Sequence, residues 1–303
     1  MSDYINIITI LTVSFNSYSH LKRLFKNLLA KAKYKKNIRF LIVDNTNGKD
    51  RDIYLLNEKK LNLKIIKNKC YQAQRSVSHA SGLDKGLKSV NTDFTLIVDP
   101  DIHVFMENWD ALCLEQIQKN EKTVIGAPYP FWKLGKVHDY PSVVFMFFKT
   151  EFVSNFNVTF YPFPSQMKRV LNSIIRKIIR LGGIANKSRM DHILFLRNFC
   201  IGLEKLTGIS SPDTGRRIIK KFREKKFTSI VFNAPFSSDL NSQNNYELSN
   251  LSKDYEVYLY NQDPFITHMY SSGVYHWRTE NSANLKLWIK FIHEIENKNM
   301  KDN

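Results

Sequence analysis

The chain is short of cysteine, of long apolar runs and of glycine-rich loops, and each shortage closes off a class of function. Cys70, Cys113 and Cys200 are odd in number and spaced like neither a metal site nor a disulfide framework. A reducing compartment, the cytoplasm, is the expected location. No apolar stretch reaches the roughly 18 residues that span a bilayer, and no basic segment followed by a cleavable apolar stretch opens the chain, so no secretory signal is expected. G-x-G-x-x-G does not follow the first predicted strand and G-x-x-x-x-G-K-[ST] occurs nowhere, which argues against a dinucleotide-binding domain and a P-loop. Acid is also scarce, with 45 Lys and Arg against 28 Asp and Glu, a net charge of +17.

What is present reads as a folded α/β protein. Its 303 residues, 43% apolar and 13% aromatic, suffice for one large domain or two small ones. Ile5–Val13, Ile38–Val43, Leu63–Ile66 and Phe94–Val98 are apolar runs of strand length. Between them Leu21, Leu24, Phe25 and Leu28 recur at helical spacing, as do Val77, Ala80, Leu83 and Leu87 within a helix predicted over Ser76–Val90. Strands alternating with helices through short connections predict a parallel sheet with ligands at the carboxyl ends of its strands. Polar residues collect at those ends: Ser14 and Asn16 after the first strand, Asp44 after the second, Asp99 and Asp101 after the fourth. Residues i and i+2 of an extended segment point the same way, so Asp99 and Asp101 can share one ligand. Hard carboxylate oxygens suit Mg²⁺ or Mn²⁺ held jointly with a phosphorylated substrate. An Asp-Pro-Asp turn that merely closes a buried strand is the other reading of the same residues.

The set Thr12-Val13-Ser14-Phe15-Asn16, Ile42-Val43-Asp44-Asn45 and Leu96-Ile97-Val98-Asp99-Pro100-Asp101 resembles the nucleotide-binding half of GT-A glycosyltransferases of the family-2 type. The resemblance covers residues 5–110 well. It implies a mixed central sheet with helical additions, a nucleotide-sugar half over residues 1–120 and an acceptor half over 121–295. It further implies that Ser14, Asn16 and Asp44 hold the base, usually uracil, that Asp99 meets the ribose, and that Asp101 binds Mn²⁺ or Mg²⁺. Ser78-His79-Ala80-Ser81-Gly82-Leu83-Asp84 is similar to the family helix over the donor, which assigns Asp84 and Arg75 to donor sugar or phosphate. An Asn-x-Gly carried by many members before that helix is replaced by Asn68-Lys69-Cys70.

In the second half Val143–Phe148 reads as a buried strand of the kind that underlies the acceptor site in that family, flanked by His138, Tyr140 and Lys149. Ser210-Ser211-Pro212-Asp213-Thr214-Gly215 precedes Ile218, Ile219 and Phe222 and looks like a helix start. Asp213 is either an acid that caps that helix or, by the resemblance, the general base of an inverting transfer to a glycan or lipid-linked hydroxyl. The resemblance also brings in a late histidine as metal ligand, His268 before His276. Between Ser165 and Lys226 stand 16 Lys and Arg against four acids, and Gln166–Leu181 carries an apolar stripe with basic residues beside it. That pattern fits contact with an anionic membrane from the cytoplasmic side, or simple packing on the same domain. Nucleic acid is the less expected partner, since aromatic residues are not interleaved with the basic run.

Overall fold

The computed structural model describes residues 6–59, 61–70, 75–162, 166–207, 213–243, 245–269 and 284–299. The chain forms two compact units. One comprises Met1–Ala127, Asp139–Phe163 and Asp213–Val231; the other comprises Pro128–His138, Pro164–Pro212 and Phe232–Asn303.

The first unit is built on a seven-stranded sheet. Its strands are β1 (Ile8–Ser14), β2 (Ile38–Asp44), β3 (Leu63–Lys67), β4 (Phe94–Val98), β6 (Thr123–Ala127), β7 (Phe145–Lys149) and β8 (Thr228–Val231); the three-residue β5 (Ile102–Val104) lies between β4 and β6 in sequence. The order is β3-β2-β1-β4-β7-β6-β8. β1 runs parallel to both β2 and β4, β6 runs parallel to β8, and β7 alone is antiparallel to its neighbours β4 and β6. This is the mixed central sheet that the resemblance implies. All seven residues of β1 are buried, as are all five of β4. Parallel strands covered on both faces need continuous apolar sequence, which is why these runs do not alternate.

Several strand boundaries differ from the sequence reading, and β2 and β3 each run one residue further, to Asp44 and Lys67. β1 ends at Ser14 rather than Val13, because Ser14 still pairs with Asp44, and Ile5 lies outside the described residues. β7 begins two residues later than expected, since Ser142 N–H is spent on Ala127 O and Val144 O accepts from Asp99 N–H.

Helices cover the sheet. α1 (Tyr18–Lys31) buries Leu21, Leu24, Phe25 and Leu28, the predicted stripe, together with Asn27. Asn27 is buried because it completes a backbone pair, donating to Val104 O at 2.9 Å and accepting from Val104 N–H at 2.7 Å. α2 (Arg75–Leu87) lies so close to β1 that a Cβ at Gly82 would come within 2.8 Å of Val13 and 2.9 Å of Asn45 Oδ1. α3 (Trp109–Lys119), the short α4 (Thr150–Ser154) and α8 (Arg216–Glu224) complete the unit, the last burying Ile218, Ile219 and Phe222 as its spacing predicts.

The second unit holds α5 (Gln166–Ile179), α6 (Lys187–His192), α7 (Leu194–Thr207), α9 (Ser237–Ser242), α10 (Tyr246–Asp254) and α11 (Leu285–Asn299), with the antiparallel pair β9 (Glu256–Tyr260) and β10 (Asp263–His268). Asn261 and Gln262, both at positive φ, form the two-residue turn of that hairpin. Trp288 of α11 is fully buried and donates to Thr267 Oγ1 at 3.1 Å. Among the described residues no helix is long and apolar enough to cross a membrane.

Candidate functional site

The carboxyl edge of β1, β2 and β4 carries the expected polar residues, in three different settings. Ser14 is completely buried, and its Oγ has no hydrogen-bond partner among the described residues. Asn16, two residues on, is exposed and in the left-handed region at φ 53, a conformation that Asn tolerates better than most residues.

Asp44 is buried to the last atom. Oδ1 accepts from Thr46 N–H at 2.8 Å and Thr46 Oγ1 at 2.6 Å; Oδ2 accepts from Gly48 N–H at 2.7 Å and Tyr54 OH at 3.3 Å. Four bonds use the four lone-pair directions of a carboxylate, so Asp44 closes the turn after β2. Recognition of a base by Asp44 requires exchanging one of those bonds, and the long one to Tyr54 is the cheapest to give up. Asp50, which sequence reasoning did not single out, is buried nearby; its carboxyl is raised by burial and by the charge of Asp44.

Asp99 and Asp101 stand beyond the end of β4 in a turn, yet each brings a carboxylate oxygen within 4.8 Å of the other's. Three side chains the sequence reading gave no role surround them. His79 on α2 places Nε2 3.5 Å from Asp99 Oδ1. On α1, His20 and Arg23 both feel the charge of Asp101. Burial lowers the imidazolium of His20, Asp101 opposes the shift and Arg23 adds to it. Burial pushes the Arg23 guanidinium down to about 10 against the pull of Asp101. Arg23 also donates from Nη2 to Ile102 O at 2.6 Å and lies 3.3 Å from His103 Nδ1. It thereby grips the backbone immediately after the acidic pair. The i, i+3 spacing of positions 20 and 23 puts both on one side of α1, but nothing in the sequence pairs that side with Asp101.

α2 gathers the rest. Asn45 donates to Ser78 O at 2.8 Å and accepts from Asn68 Nδ2 at 2.9 Å, which ties the ends of β2 and β3 to the helix. Asn68 therefore has a structural task where the resemblance expects Asn-x-Gly. Asp84 accepts from Phe160 N–H at 2.8 Å and from Thr159 Oγ1. Its carboxylate anchors the 159–160 segment, at the wall of a cavity of about 480 Å³ also lined by Lys69, Lys85 and Tyr161. Arg75 is the first residue of α2, and its side chain lies outside the described residues.

Asp213 is half-buried and accepts from Thr214 N–H at 2.9 Å. It is not the cap of α8: Gly215, at φ 84, holds that position. Thr214 Oγ1 donates to Ser76 O at 3.0 Å, and Gly215 N–H donates to Phe160 O at 2.9 Å. The Asp213 loop is thus fastened to the first turn of α2, one turn from the His79 that meets Asp99. Ser210, Ser211 and Pro212 lie outside the described residues.

In the second unit His268 ends β10 and is buried, with Nδ1 2.9 Å from Glu256 Oε2. Glu256 also accepts from Tyr258 OH at 2.8 Å and pairs with Lys133, itself almost wholly buried. Burial alone would raise the Glu256 carboxyl, but Lys133 and His268 overcome it and bring it down to about 2. His276 lies outside the described residues. The residues flanking the predicted acceptor strand are structural. His138 bridges Tyr129 O and Glu204, Tyr140 donates to Phe227 O, and Lys149 pairs with Glu121.

Residues 9–173, more than half of the 303, match the sequence profile of glycosyl transferase family 2. No curated protein sequence matches the chain. Among solved structures, the chain is similar to the mannosyltransferase PcManGT of Pyrobaculum calidifontis in complex with GDP-Man and Mn²⁺, at TM-score 0.40 and 13% identity over 50% of this chain and 46% of that one. It is also similar to residues 1–349 of S. aureus TarS, at TM-score 0.38 and 16% identity over 50% of each chain. The chain spans about half the length of these structures.

Proposed function

The chain belongs to glycosyl transferase family 2, and from that premise we propose that it moves a sugar from a nucleotide-diphosphate donor, taken to be a UDP-sugar, to a hydroxyl of a glycan or lipid-linked acceptor with inversion. The observation that carries the reading is the convergence on α2: His79 meets Asp99 beside Asp101, and Thr214 fastens the Asp213 loop to Ser76 one turn away. An acidic pair for the donor and a separate carboxylate for the acceptor are the two parts that such a transfer needs.

The donor set suits a hard divalent cation, Mn²⁺ or Mg²⁺, with Asp101 as the principal ligand. When bound, the metal stabilises negative charge developing on the leaving diphosphate. Asp99 faces the ribose. Arg23 holds the backbone at Ile102 and so positions Asp101. His268 is the proposed second protein ligand. Glu256 holds its Nδ1–H, which puts the lone pair of the neutral ring on Nε2, and a carboxylate behind a histidine in this way orients a metal-binding imidazole. Asp213 takes the proton of the acceptor hydroxyl as the new glycosidic bond forms. Ser14, Asn16 and Asp44 hold the base, with Asp44 accepting from the imide N–H in exchange for Tyr54. Asp84 and Arg75 stay assigned to the sugar and phosphate side of the donor, Asp84 mainly by fixing residues 159–160. The two roles divide the chain into a donor half over 1–120 and an acceptor half over 121–295.

A panel of nucleotide sugars, screened by thermal shift with and without Mn²⁺, tests this reading. A ligand at about 100 times its Kd adds roughly 2.7 kcal/mol to a native state that alone binds it. A uridine donor should raise the midpoint with metal present and lose most of the effect in EDTA. If no nucleotide sugar shifts it with or without Mn²⁺, the assignment fails.

A further inference from the structure

α5 is mounted inside out. Met167, Val170, Leu171, Ile174 and Ile178 form its apolar stripe at i, i+3, i+4, i+7 and i+11, and all five are exposed, Met167 by 82% and Ile178 by 65%. What fastens the helix is its basic side. Arg180 is buried and donates to Leu134 O at 3.3 Å, the stem of Arg176 lies over Gly135, and Ile179 is buried next to them. An amphipathic helix that served only its own unit would turn the stripe inward.

The exposure continues past α5. Eleven of the eighteen large apolar side chains exposed among the described residues fall between Met167 and Leu206, including Phe195 and Phe199 of α7. Monomeric proteins rarely gather so many exposed apolar side chains in one stretch unless it is an interaction site. The charges of the same stretch identify the kind of partner. Residues 165–207 contain nine Lys and Arg and two acids, Asp191 and Glu204. Both acids are turned inward: Asp191 accepts from Ser237 and pairs with Lys187, while Glu204 accepts from Gly135 N–H and His138. Lys177, Arg189 and Lys205 are exposed, so the formal charge this stretch turns to solvent is positive.

We propose that the α5–α7 segment is a docking surface for an anionic lipid bilayer, with the α5 stripe entering the headgroup–acyl boundary and the basic side chains meeting acidic headgroups. The chemistry is that of interfacial helices, in which apolar burial and attraction to anionic lipid act together. A nucleic acid would meet aliphatic side chains on α5 where it needs stacking ones. The inference stands on α5 to α7 alone and does not rest on the transferase reading.

The test is co-sedimentation of the full chain with phosphatidylglycerol-containing vesicles and with pure phosphatidylcholine vesicles, at low and high salt, beside the variant Ile174→Glu/Ile178→Glu. Wild type should bind the anionic vesicles, bind phosphatidylcholine far less, and weaken as salt screens the attraction. The variant should lose about tenfold or more in vesicle affinity, with melting temperature and circular dichroism spectrum unchanged. Absence of wild-type binding at low salt overturns the proposal, and that measurement does not depend on the variant. A variant that binds like wild type overturns it as well. So does one that unfolds, which would place the stripe in the core, or one that only turns a dimer into a monomer, which would make the face an interface between copies.

Discussion

Replacing Glu256 with Gln tests the second unit at its most concentrated point of charge. The side chain keeps its size and its contact with Tyr258, but Lys133 is left buried opposite a neutral amide. Two estimates of the cost agree. The carboxyl lies at about 2 in the folded protein against an ordinary 4.5, and that displacement corresponds to about 3 kcal/mol at about 1.4 kcal/mol per unit. Breaking a buried pair from one side costs about 3–5 kcal/mol. The sign follows from the direction of the shift. A depressed carboxyl contributes stability that is fully present above pH 4.5 and is lost as pH falls toward about 2, and roughly 1 kcal/mol of it should be gone at pH 3.5. Urea unfolding of wild type and Glu256→Gln, followed by tryptophan fluorescence at pH 7 and at pH 3.5, measures both quantities. The gap should be about 3 kcal/mol at neutral pH and shrink in acid. A gap below about 1 kcal/mol at pH 7, or one that widens in acid, would refute the assignment of a charged pair.

Three further outcomes are expected at the proposed active site. Asp101→Ala should abolish Mn²⁺-dependent donor hydrolysis and transfer while the circular dichroism spectrum stays unchanged; a fully active variant, or wild-type activity in EDTA, would remove the metal from the mechanism. Asp213→Asn should keep donor affinity and lose about a hundredfold or more in transfer rate, the scale of general-base removal, and normal turnover would reduce the residue to a fastening of its loop. Asp44→Ala should weaken UDP by roughly 2 kcal/mol and also destabilise the fold, since it releases two backbone donors and two hydroxyls; calorimetry showing unchanged UDP affinity would leave Asp44 with the turn alone.

The first half of the chain was legible because its sheet is parallel and doubly covered. Such strands show as unbroken apolar runs ending in turn residues, so β1, β2 and β4 and the positions of Asp44, Asp99 and Asp101 could be read directly. The surroundings of those acids were not legible. His79, His20 and Arg23 reach them from α2 and α1, and no local spacing links position 23 to position 101. The β9–β10 hairpin went unread because its turn is Asn261-Gln262, without the glycine that usually marks a two-residue turn. For α5 the sequence showed the stripe but not its direction. That depended on Arg180 finding Leu134 O, a contact 46 residues away.

The ties on α2 also bear on how much of this chain can vary. Asn45 and Asn68 hold the helix to two strand ends, Gly82 brings it against Val13, Asp84 holds the 159–160 segment and Ser76 receives Thr214. The helix therefore acts as a splint. The separation between the acidic pair and Asp213 is set across one turn of rigid helix, from Ser76 to His79, not by the length of the chain between Asp101 and Asp213. More than a hundred residues lie between those two acids, and insertions or deletions in the loops among them leave that spacing intact so long as β6 and β7 keep their places in the sheet and Thr159, Phe160 and Thr214 still reach the helix. Tolerance to change should accordingly divide sharply: high in the intervening loops, low at Gly82 and at the side chains that fasten α2.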